Sequence, residues 1–276
     1  MRTIVHLSDL HFGHVDPRTL KPLTALVQSL KPDVVVVSGD LTQRAKVVEF
    51  REARAFLDTL PRPQIVVPGN HDIPLHNLWK RFASPLSSFT SIIDERTEPF
   101  LADAEIAIAG LSTARSLTWK GGRVNERQLE ELTGRFAPMP PSVVKIVVTH
   151  HPFEIPPSAP RSDLVGGAHA AMASFARAGV DLLLSGHLHL THTGRTAERY
   201  GIAGHSALVV HAGTATSTRH RGETNSFNVL RLDGHELRLT RYFWNVGSET
   251  FTPHDVERYA RGAEGWDRLT KVSPSS

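Results

Sequence analysis

Five short polar motifs carry side chains that could bind metal ions, and each directly follows an apolar run. In chain order they are Asp9-Leu10-His11, Gly39-Asp40, Gly69-Asn70-His71-Asp72, Thr149-His150-His151 and Gly186-His187-Leu188-His189. The candidate ligands are Asp9, His11, Asp40, Asn70, His150, His187 and His189. Carboxylate, amide and imidazole ligands suit Fe, Mn or Zn rather than thiophilic ions. The motifs therefore indicate metal-dependent hydrolytic chemistry.

The elements that must position these motifs are predicted as alternating strands and helices. Short runs rich in β-branched residues predict buried strands at Val34–Val37, Ile65–Val67, Ile106–Ala109, Val143–Val148 and Asp181–Leu184. Apolar residues spaced three and four apart predict helices at Leu20–Leu30, Lys46–Leu60, Glu126–Phe136 and His169–Ala178. This alternation predicts a layered α/β domain, in which the carboxyl-end loops gather the motifs at one rim.

The chain after residue 190 shows strand signals without a long helix. The predicted strands are Ser206–His211, Ser226–Leu232 and Glu236–Trp244, and Asp233-Gly234 between the last two predicts a hairpin. We expect one domain over residues 1–245, with core motifs at 9–189 and further strands at 190–245. Residues 246–276 are expected to form a C-terminal extension that is loosely held from Arg261 onward.

Composition excludes several classes of protein. The 276 residues include no cysteine, which rules out disulfides, zinc fingers and iron–sulfur clusters. The 31 basic and 28 acidic residues are interspersed, so the sequence does not predict a dedicated nucleic-acid partner. Because no charged leader or long apolar stretch precedes Thr3-Ile4-Val5-His6-Leu7, we expect a cytoplasmic protein without a membrane partner.

Each motif by itself has an ordinary structural explanation. Asp9 and His11 stand two residues apart after a strand, which would point both side chains the same way, but Asp in such a loop often bonds its own backbone. Asp40 could cap a helix, and His187 and His189 could be a pair of surface histidines. Five such motifs at the ends of successive strands are not independent coincidences, and together they predict a metal centre.

The motif series resembles that of the calcineurin-like metallophosphoesterase superfamily, D-x-H, G-D, G-N-H-[DE], H and G-H-x-H, over residues 9–189. The resemblance implies a four-layer αββα sandwich of two mixed β-sheets flanked by helices. It also implies two metal ions, Mn, Fe or Zn, with a metal-bridging hydroxide as nucleophile. One ion would be held by Asp9, His11, Asp40 and His189, and the other by Asp40, Asn70, His150 and His187.

The resemblance assigns His71 a catalytic role beside Asn70, either contacting the phosphate or protonating the leaving alkoxide. Many relatives pair this histidine with an aspartate in a G-D-x-x-D run, but here the run is Gly39-Asp40-Leu41-Thr42-Gln43. Asp72 or a residue outside the motifs would have to orient His71 instead. The role of His151, next to His150, stays open.

Several segments are similar to bacterial class III cyclic-nucleotide phosphodiesterases: 69–82, 110–115, 122–125 and 212–217. This likeness implies hydrolysis of a small phosphodiester such as 3′,5′-cAMP, with Asn70 and His71 contacting the phosphate. A phosphomonoesterase would more naturally add an arginine beside the phosphate, and Arg44 and Arg115 are candidates for such contacts. The alternatives are a broad-specificity phosphatase or a nuclease of the same superfamily and, from a different class, a noncatalytic binding scaffold.

The strands after residue 190 could extend the second sheet or form a cap and a subunit contact. Similar phosphodiesterases form dimers or larger oligomers, so the resemblance makes a homodimer an expectation.

Overall fold

The computed structural model describes residues 1–75, 78–118, 121–202, 204–219 and 222–272. Its strands are β1 (Arg2–Leu7), β2 (Val34–Val37), β3 (Gln64–Val66), β4 (Phe100–Ala102), β5 (Ile106–Gly110), β6 (Val144–Val148), β7 (Leu182–Ser185), β8 (His192–Arg195), β9 (Leu208–His211), β10 (Ser226–Asp233), β11 (Glu236–Asn245), β12 (Thr250–Arg261) and β13 (Trp266–Val272). Its α-helices are α1 (Pro17–Leu30), α2 (Val47–Thr59), α3 (Leu78–Ala83), α4 (Ser87–Ile92), α5 (Glu126–Phe136), α6 (Ala168–Ala178) and α7 (Ala197–Tyr200). Short 3-10 helices lie at Asn70–Asp72 and Arg161–Asp163.

The strands form two mixed sheets. One has the order β13-β12-β11-β10-β1-β2-β3 and the other the order β4-β5-β6-β7-β9-β8. In the first sheet β1, β2 and β3 are parallel, and in the second β5, β6, β7 and β9 are parallel. Within each sheet these parallel strands end at the same edge, and α/β folds place their sites in the loops that follow such ends.

Three apolar clusters separate the layers. Ile4, Val36 and Ile146 belong to the cluster between the two sheets. A second cluster packs α1, α2 and α4 on the outer face of the first sheet, and a third packs α5 and α6 on the outer face of the second. The expected four-layer αββα sandwich is confirmed, because each sheet buries one face against the other sheet and one against helices.

Local sequence explains why the predicted helices lie where they do. Asp16 caps α1 by accepting a hydrogen bond from the Arg18 amide, and Pro17 occupies the first turn, where its missing N–H costs nothing. Asn125 caps α5 in the same way through the Gln128 amide. Helix α5 has the predicted bounds, whereas α1 begins three residues earlier than predicted because apolar periodicity does not report the capping turn.

The C-terminal segment differs from the expectation of a loosely held tail. Strand β12 pairs antiparallel with β11, and β13 pairs antiparallel with β12; Trp266 of β13 is fully buried. Register shifts at Arg241/Tyr242 and Arg258/Tyr259 interrupt the apolar alternation that would reveal these strands in the sequence. The hairpin predicted at Asp233-Gly234 is present between β10 and β11. The predicted boundary at residue 245 falls between β11 and β12 of one sheet, and the division into a domain and an extension stays a prediction.

None of the helices within the described residues combines the length and the apolar character needed to cross a membrane.

Candidate metal centre

The five motifs meet at one rim of the sandwich, at the carboxyl ends of parallel strands. The loops after β1 and β2 run side by side, since the Asp9 amide donates to the Gly39 carbonyl (3.1 Å) and the His11 amide to the Asp40 carbonyl (2.9 Å). The loop after β7 joins them through the His187 amide, which donates to Asp9 Oδ2 (3.0 Å). Motifs from both sheets thus enclose one space.

Most of the predicted ligands have a left-handed backbone. The φ angles are 52° at Asp9, 51° at His11, 51° at Asp40, 72° at His187 and 57° at His189. This conformation is uncommon for non-glycine residues and tends to persist at functional sites. The side chains of Asp9 and His11 therefore converge through a coiled loop, and not through the strand-like alternation expected from their spacing.

Two glycines allow the loops to approach each other. A Cβ atom at Gly69 would lie 2.1 Å from Asp40 Oδ1, and one at Gly186 would lie 1.8 Å from Ser8 Oγ. Both distances are far below van der Waals contact, so any side chain would push the loops apart. The glycines of the G-N-H-D and G-H-x-H motifs therefore allow the polar side chains of neighbouring loops to come close to one another.

One group of candidate ligands contains Asp9, His11, Asp40 and His189, all of which are buried. The Nε2 atom of His189 lies 3.1 Å from Asp9 Oδ1 and 3.2 Å from His11 Nε2. His11 Nε2 lies 3.7 Å from Asp40 Oδ2. Among the described residues Asp9 Oδ1 accepts no well-formed hydrogen bond although it is buried. A cation between these atoms would satisfy it, so the donor set fits a metal ion.

A second group adjoins the first through Asp40. Its Oδ2 atom lies 3.3 Å from His150 Nε2, which in turn lies 3.1 Å from Asn70 Oδ1 and 3.3 Å from His187 Nδ1. Asp40 Oδ2 thus faces both groups, as a bridging carboxylate must. The geometry brings together every ligand predicted from the motifs, and the assignment of each ligand to one ion stays a prediction.

Backbone carbonyls fix the tautomers of two candidate ligands. His150 Nδ1 lies 2.8 Å from the Ser38 carbonyl, and His189 Nδ1 lies 3.0 Å from the Arg219 carbonyl. Because a carbonyl only accepts, Nδ1 carries a proton in each ring, and Nε2 is the nitrogen that offers a lone pair to the centre once it is deprotonated. This is the arrangement by which proteins prepare imidazoles for metal binding.

The charges in the centre keep its carboxylates ionised. Burial alone would raise the pKa values of Asp9 and Asp40, but the surrounding imidazoles hold both well below their usual range, with His189 the largest influence on Asp9 and His150 on Asp40. Burial lowers the pKa of His187 to about 3. Burial also opposes protonation of His150, yet the Asp40 charge raises its pKa to about 9. Metal binding should therefore displace a proton from His150.

His151 lies beside the second group. Its Nδ1 atom is 2.8 Å from Thr113 Oγ1, and its ring contacts those of His150 and His187, with centroids 4.9 and 4.7 Å away. Ligand atoms of His150, His151 and His187 can all lie within 4.8 Å of one another. The ring is thus close enough to serve as a ligand or to support one.

His71 is oriented by the backbone of the residue that replaces the aspartate of relatives. Its Nδ1 atom lies 2.8 Å from the Gln43 carbonyl, which accepts the hydrogen bond, and its ring packs edge-on against His11 at 4.9 Å. Its Nε2 atom lies 3.2 Å from Arg219 Nη1. Because a guanidinium only donates, His71 in this structure carries its proton on Nδ1. The Gln43 carbonyl therefore orients His71 in place of the missing aspartate.

Asp72 braces the loops and does not contact the His71 ring nitrogens. Its carboxylate accepts hydrogen bonds from the amides of Leu41 (3.2 Å), Thr42 (2.9 Å) and Gly69 (2.9 Å), and from Thr42 Oγ1 (2.9 Å). These bonds join the Asp40 loop to the Asn70 turn. Although the motif suggested Asp72 as a possible partner of His71, the structure gives the carboxylate a different task.

Replacing Asp72 by alanine should destabilise the protein by about 3 kcal/mol or more, because it leaves buried donors without an acceptor. Urea unfolding of the wild type and Asp72→Ala would measure this. The isosteric Asp72→Asn retains one acceptor oxygen and should lose less. Equal stability of Asp72→Ala and the wild type would contradict the bracing role.

The two arginines predicted to contact phosphate have different environments. Arg115 donates to the carbonyls of Ser112 (3.0 Å) and Ala114 (2.8 Å) and to the Gln128 side chain, while Arg44 is exposed. The contacts of Arg115 are thus with protein groups that shape the loop after β5. Phosphate binding by Arg44 or Arg115 stays a prediction.

Arg219 belongs to none of the five motifs and follows the segment 212–217. This segment is tied to the first motif, since Thr214 Oγ1 donates to the Asp9 carbonyl (2.7 Å) and Thr216 Oγ1 to the Leu10 carbonyl (2.8 Å). Its likeness to class III phosphodiesterases was a signal that the segment belongs to the site. The similar segment ends at Ser217 and does not include Arg219.

Two histidines outside the predicted ligand set, His6 and His211, are fully buried. His6 Nε2 is 2.9 Å from Ser38 Oγ, and the His211 ring nitrogens have no hydrogen-bond partner among the described residues. Burial lowers the pKa of each histidine to about 3. In the unfolded chain these histidines would titrate near 6.5.

The free energy of unfolding should therefore fall as the pH decreases from about 6.5 towards 3, because these histidines bind protons in the unfolded state but not in the folded state. Each histidine contributes about 1.4 kcal/mol per pH unit within this window. His211→Gln should lose the contribution of one histidine. Urea unfolding between pH 7.5 and 5, under the same metal conditions, would show this as a shallower slope, with His235→Gln in the exposed hairpin turn as control. Parallel slopes for His211→Gln and the wild type would contradict the prediction.

Sequence comparison finds relatives that share part of this chain. The UDP-2,3-diacylglucosamine pyrophosphatase LpxG of Chlamydia trachomatis is 40% identical over 72 residues, covering 25% of this chain and 22% of that protein. The glycerophosphodiester phosphodiesterase GpdQ of Enterobacter lignolyticus is 34% identical over 82 residues, covering 25% and 29%. A probable cyclic nucleotide phosphodiesterase of Vesicomyosocius okutanii is 24% identical over 136 residues, covering 42% and 57%. Each match thus spans less than two thirds of the relative.

Solved structures share the fold at low sequence identity. Purple acid phosphatase PPD1 from yellow lupin aligns with a TM-score of 0.71 and 14% identity, over 93% of this chain and 53% of that one. A dimetal phosphatase from Danio rerio aligns with a TM-score of 0.56 and 17% identity, over 86% and 95%. These likenesses support the sandwich architecture.

The model of the calcineurin-like phosphoesterase family matches residues 2–190, which include all five motifs and the strands that carry them. The match covers more than half of the chain and agrees with the two groups of clustered ligands. The chain therefore belongs to the calcineurin-like phosphoesterase family, whose metal-dependent members hydrolyse phosphoesters.

Proposed function

We propose that this protein is a dinuclear-metal phosphodiesterase that hydrolyses a small phosphodiester, with cyclic nucleotides such as 3′,5′-cAMP as the first candidate. The observation that carries the proposal is the pair of adjoining ligand groups that share Asp40 Oδ2. Two relatives named as phosphodiesterases, GpdQ and the probable cyclic nucleotide phosphodiesterase, support the choice of a diester.

The metal ions, Asp40, Asn70 and His71 would each have a separate role in the reaction. Two bound Mn, Fe or Zn ions would supply Lewis-acid neutralisation of the phosphoryl oxygens and lower the pKa of the attacking water. Asp40 would hold both ions at one carboxylate, and Asn70 would help to orient the phosphate. His71, fixed by the Gln43 carbonyl, stands beside His11 at the edge of the centre, where a leaving oxygen or a phosphate oxygen could meet it.

Hydrolysis of bis-p-nitrophenyl phosphate tests the reaction class. Wild-type protein loaded with Mn²⁺ should release p-nitrophenolate, and Asn70→Ala should reduce kcat/KM by about 10- to 100-fold, since one ligand is lost. Asn245→Ala, in a strand far from the motifs along the chain, is the control. If no phosphoester is hydrolysed with Mn²⁺, Fe or Zn, the proposal of an enzyme fails and a noncatalytic scaffold takes its place.

A substrate panel tests the finer proposal. We expect higher kcat/KM for 3′,5′-cAMP, 2′,3′-cAMP or a glycerophosphodiester than for phosphomonoesters. A strong monoester preference would replace the proposal with that of a phosphatase. Static light scattering of the purified chain would test the proposed homodimer separately.

A further inference from the structure

Arg219 is held against the candidate metal centre by its own backbone. Its carbonyl accepts the hydrogen bond from His189 Nδ1 (3.0 Å), and its amide donates to Ser217 Oγ (3.0 Å). Any residue other than proline could supply these two backbone contacts at this position. The identity of the side chain therefore needs a separate explanation.

The guanidinium reaches from this anchor to the catalytic histidine. Its Nη1 atom lies 3.2 Å from His71 Nε2 and 3.4 Å from Gln43 Oε1. The His71 ring is itself 4.9 Å from the ring of His11. The cation is thus one side chain away from the ligands, on the His71 side of the centre.

Arg241 and Arg261 pair with carboxylates, whereas Arg219 has no such partner among the described residues. Arg241 lies 2.5 Å from Glu257, and Arg261 binds both oxygens of Asp181 at 2.7 and 2.8 Å. Within the part of the chain that the structure describes, the Arg219 guanidinium contacts the uncharged acceptors of His71 and Gln43 and forms no ion pair. Its charge is therefore available to an anion.

We propose that Arg219 binds a nonbridging oxygen of the substrate phosphate next to His71, in exchange for its present contacts. A guanidinium presents several N–H groups in a plane and matches the oxygens of a phosphoryl group. This inference rests on the proposed phosphoester hydrolysis and extends its substrates from phosphodiesters to phosphomonoesters. With a fixed cation beyond the metal ions, the site accommodates dianionic phosphomonoesters as well as monoanionic diesters.

Binding of inorganic phosphate tests the role of Arg219 without depending on turnover. Isothermal titration of the Mn²⁺-loaded protein should show phosphate binding about 10- to 100-fold weaker in Arg219→Ala than in the wild type. Arg219→Lys keeps the charge without the planar fork and should lie between the two. Arg51→Ala, which removes an exposed arginine from α2, should bind phosphate as the wild type does.

Metal content and substrate preference complete the test. Arg219→Ala should keep the wild-type metal content, because the carbonyl that orients His189 remains. It should lose more kcat/KM for p-nitrophenyl phosphate than for bis-p-nitrophenyl phosphate, since the monoester carries more negative charge. The proposal is overturned if the wild type does not bind phosphate, if Arg219→Ala binds it equally well, or if that variant loses metal. Phosphate binding without any turnover would instead count against the proposed enzyme function alone.

Discussion

Asp40→Asn should lower metal content from two ions to at most one per chain and reduce kcat/KM by about 10³-fold or more. The Oδ2 atom of Asp40 faces His11 at 3.7 Å and His150 at 3.3 Å, so its charge serves both ligand groups. An asparagine has the same shape but lacks the negative charge that holds two cations together. Loss of the Lewis-acid contribution of an ion is worth several kcal/mol, which corresponds to a rate loss of this order.

Elemental analysis and steady-state kinetics measure this effect, and the metal-free protein offers an independent readout. The Asp40 charge is what raises the pKa of His150 to about 9 against the effect of burial. In Asp40→Asn the pKa of His150, followed by NMR, should therefore fall. Asp58→Asn removes an exposed carboxylate and should leave the metal content, kcat/KM and the pKa of His150 unchanged. Two retained ions with activity within tenfold of the wild type would contradict the bridging role.

His71→Ala should reduce kcat by about 10²- to 10⁴-fold, the usual contribution of a general acid, while metal content stays unchanged. The ring lies beside His11 but donates from Nδ1 to the Gln43 carbonyl, so its removal takes no candidate ligand from the centre. Protonation matters most for a poor leaving group. The loss should therefore be greater for alkyl diesters than for bis-p-nitrophenyl phosphate.

Rates for a series of diesters with different leaving groups would measure the dependence. His169→Ala, an exposed histidine on α6, controls for the loss of an imidazole. An equal loss for every leaving group would assign His71 to phosphate contact, the other role that the family resemblance allows. Reduced metal content in His71→Ala would instead show that the ring supports the ligands.

Much of the layered core could be predicted because its signals are local. The run Val34–Val37 is buried as a whole in β2, and α5 has the predicted bounds from Glu126 to Phe136. The C-terminal strands were harder to predict. Pro253 and the register shifts in β12 break the alternation of apolar residues, so this strand depends on pairing with β11.

The convergence of the candidate ligands was predictable for a different reason. Asp9 and His189 are far apart along the chain, but each belongs to a short motif after a strand, and the rule that parallel strands end at a common rim brings them together. The left-handed backbone at these positions could not be predicted from the motif spacing. It depends on hydrogen bonds between loops, such as that from the His11 amide to the Asp40 carbonyl.

The sequence by itself determined the type of chemistry, because the kinds of side chain and their order after successive strands predict a metal centre and carry the family resemblance that implies two ions. Only the tertiary structure decided what surrounds that set. The Gln43 carbonyl orients His71, Asp72 braces two loops, and Arg219 places a cation beside His71. The contacts of His71 with Gln43 and Arg219 join residues 28 and 148 positions apart, and the contacts with Gln43 and Gly69 use backbone groups, whose presence does not depend on the side chain. Since neither feature leaves a local pattern, the folded chain had to reveal them.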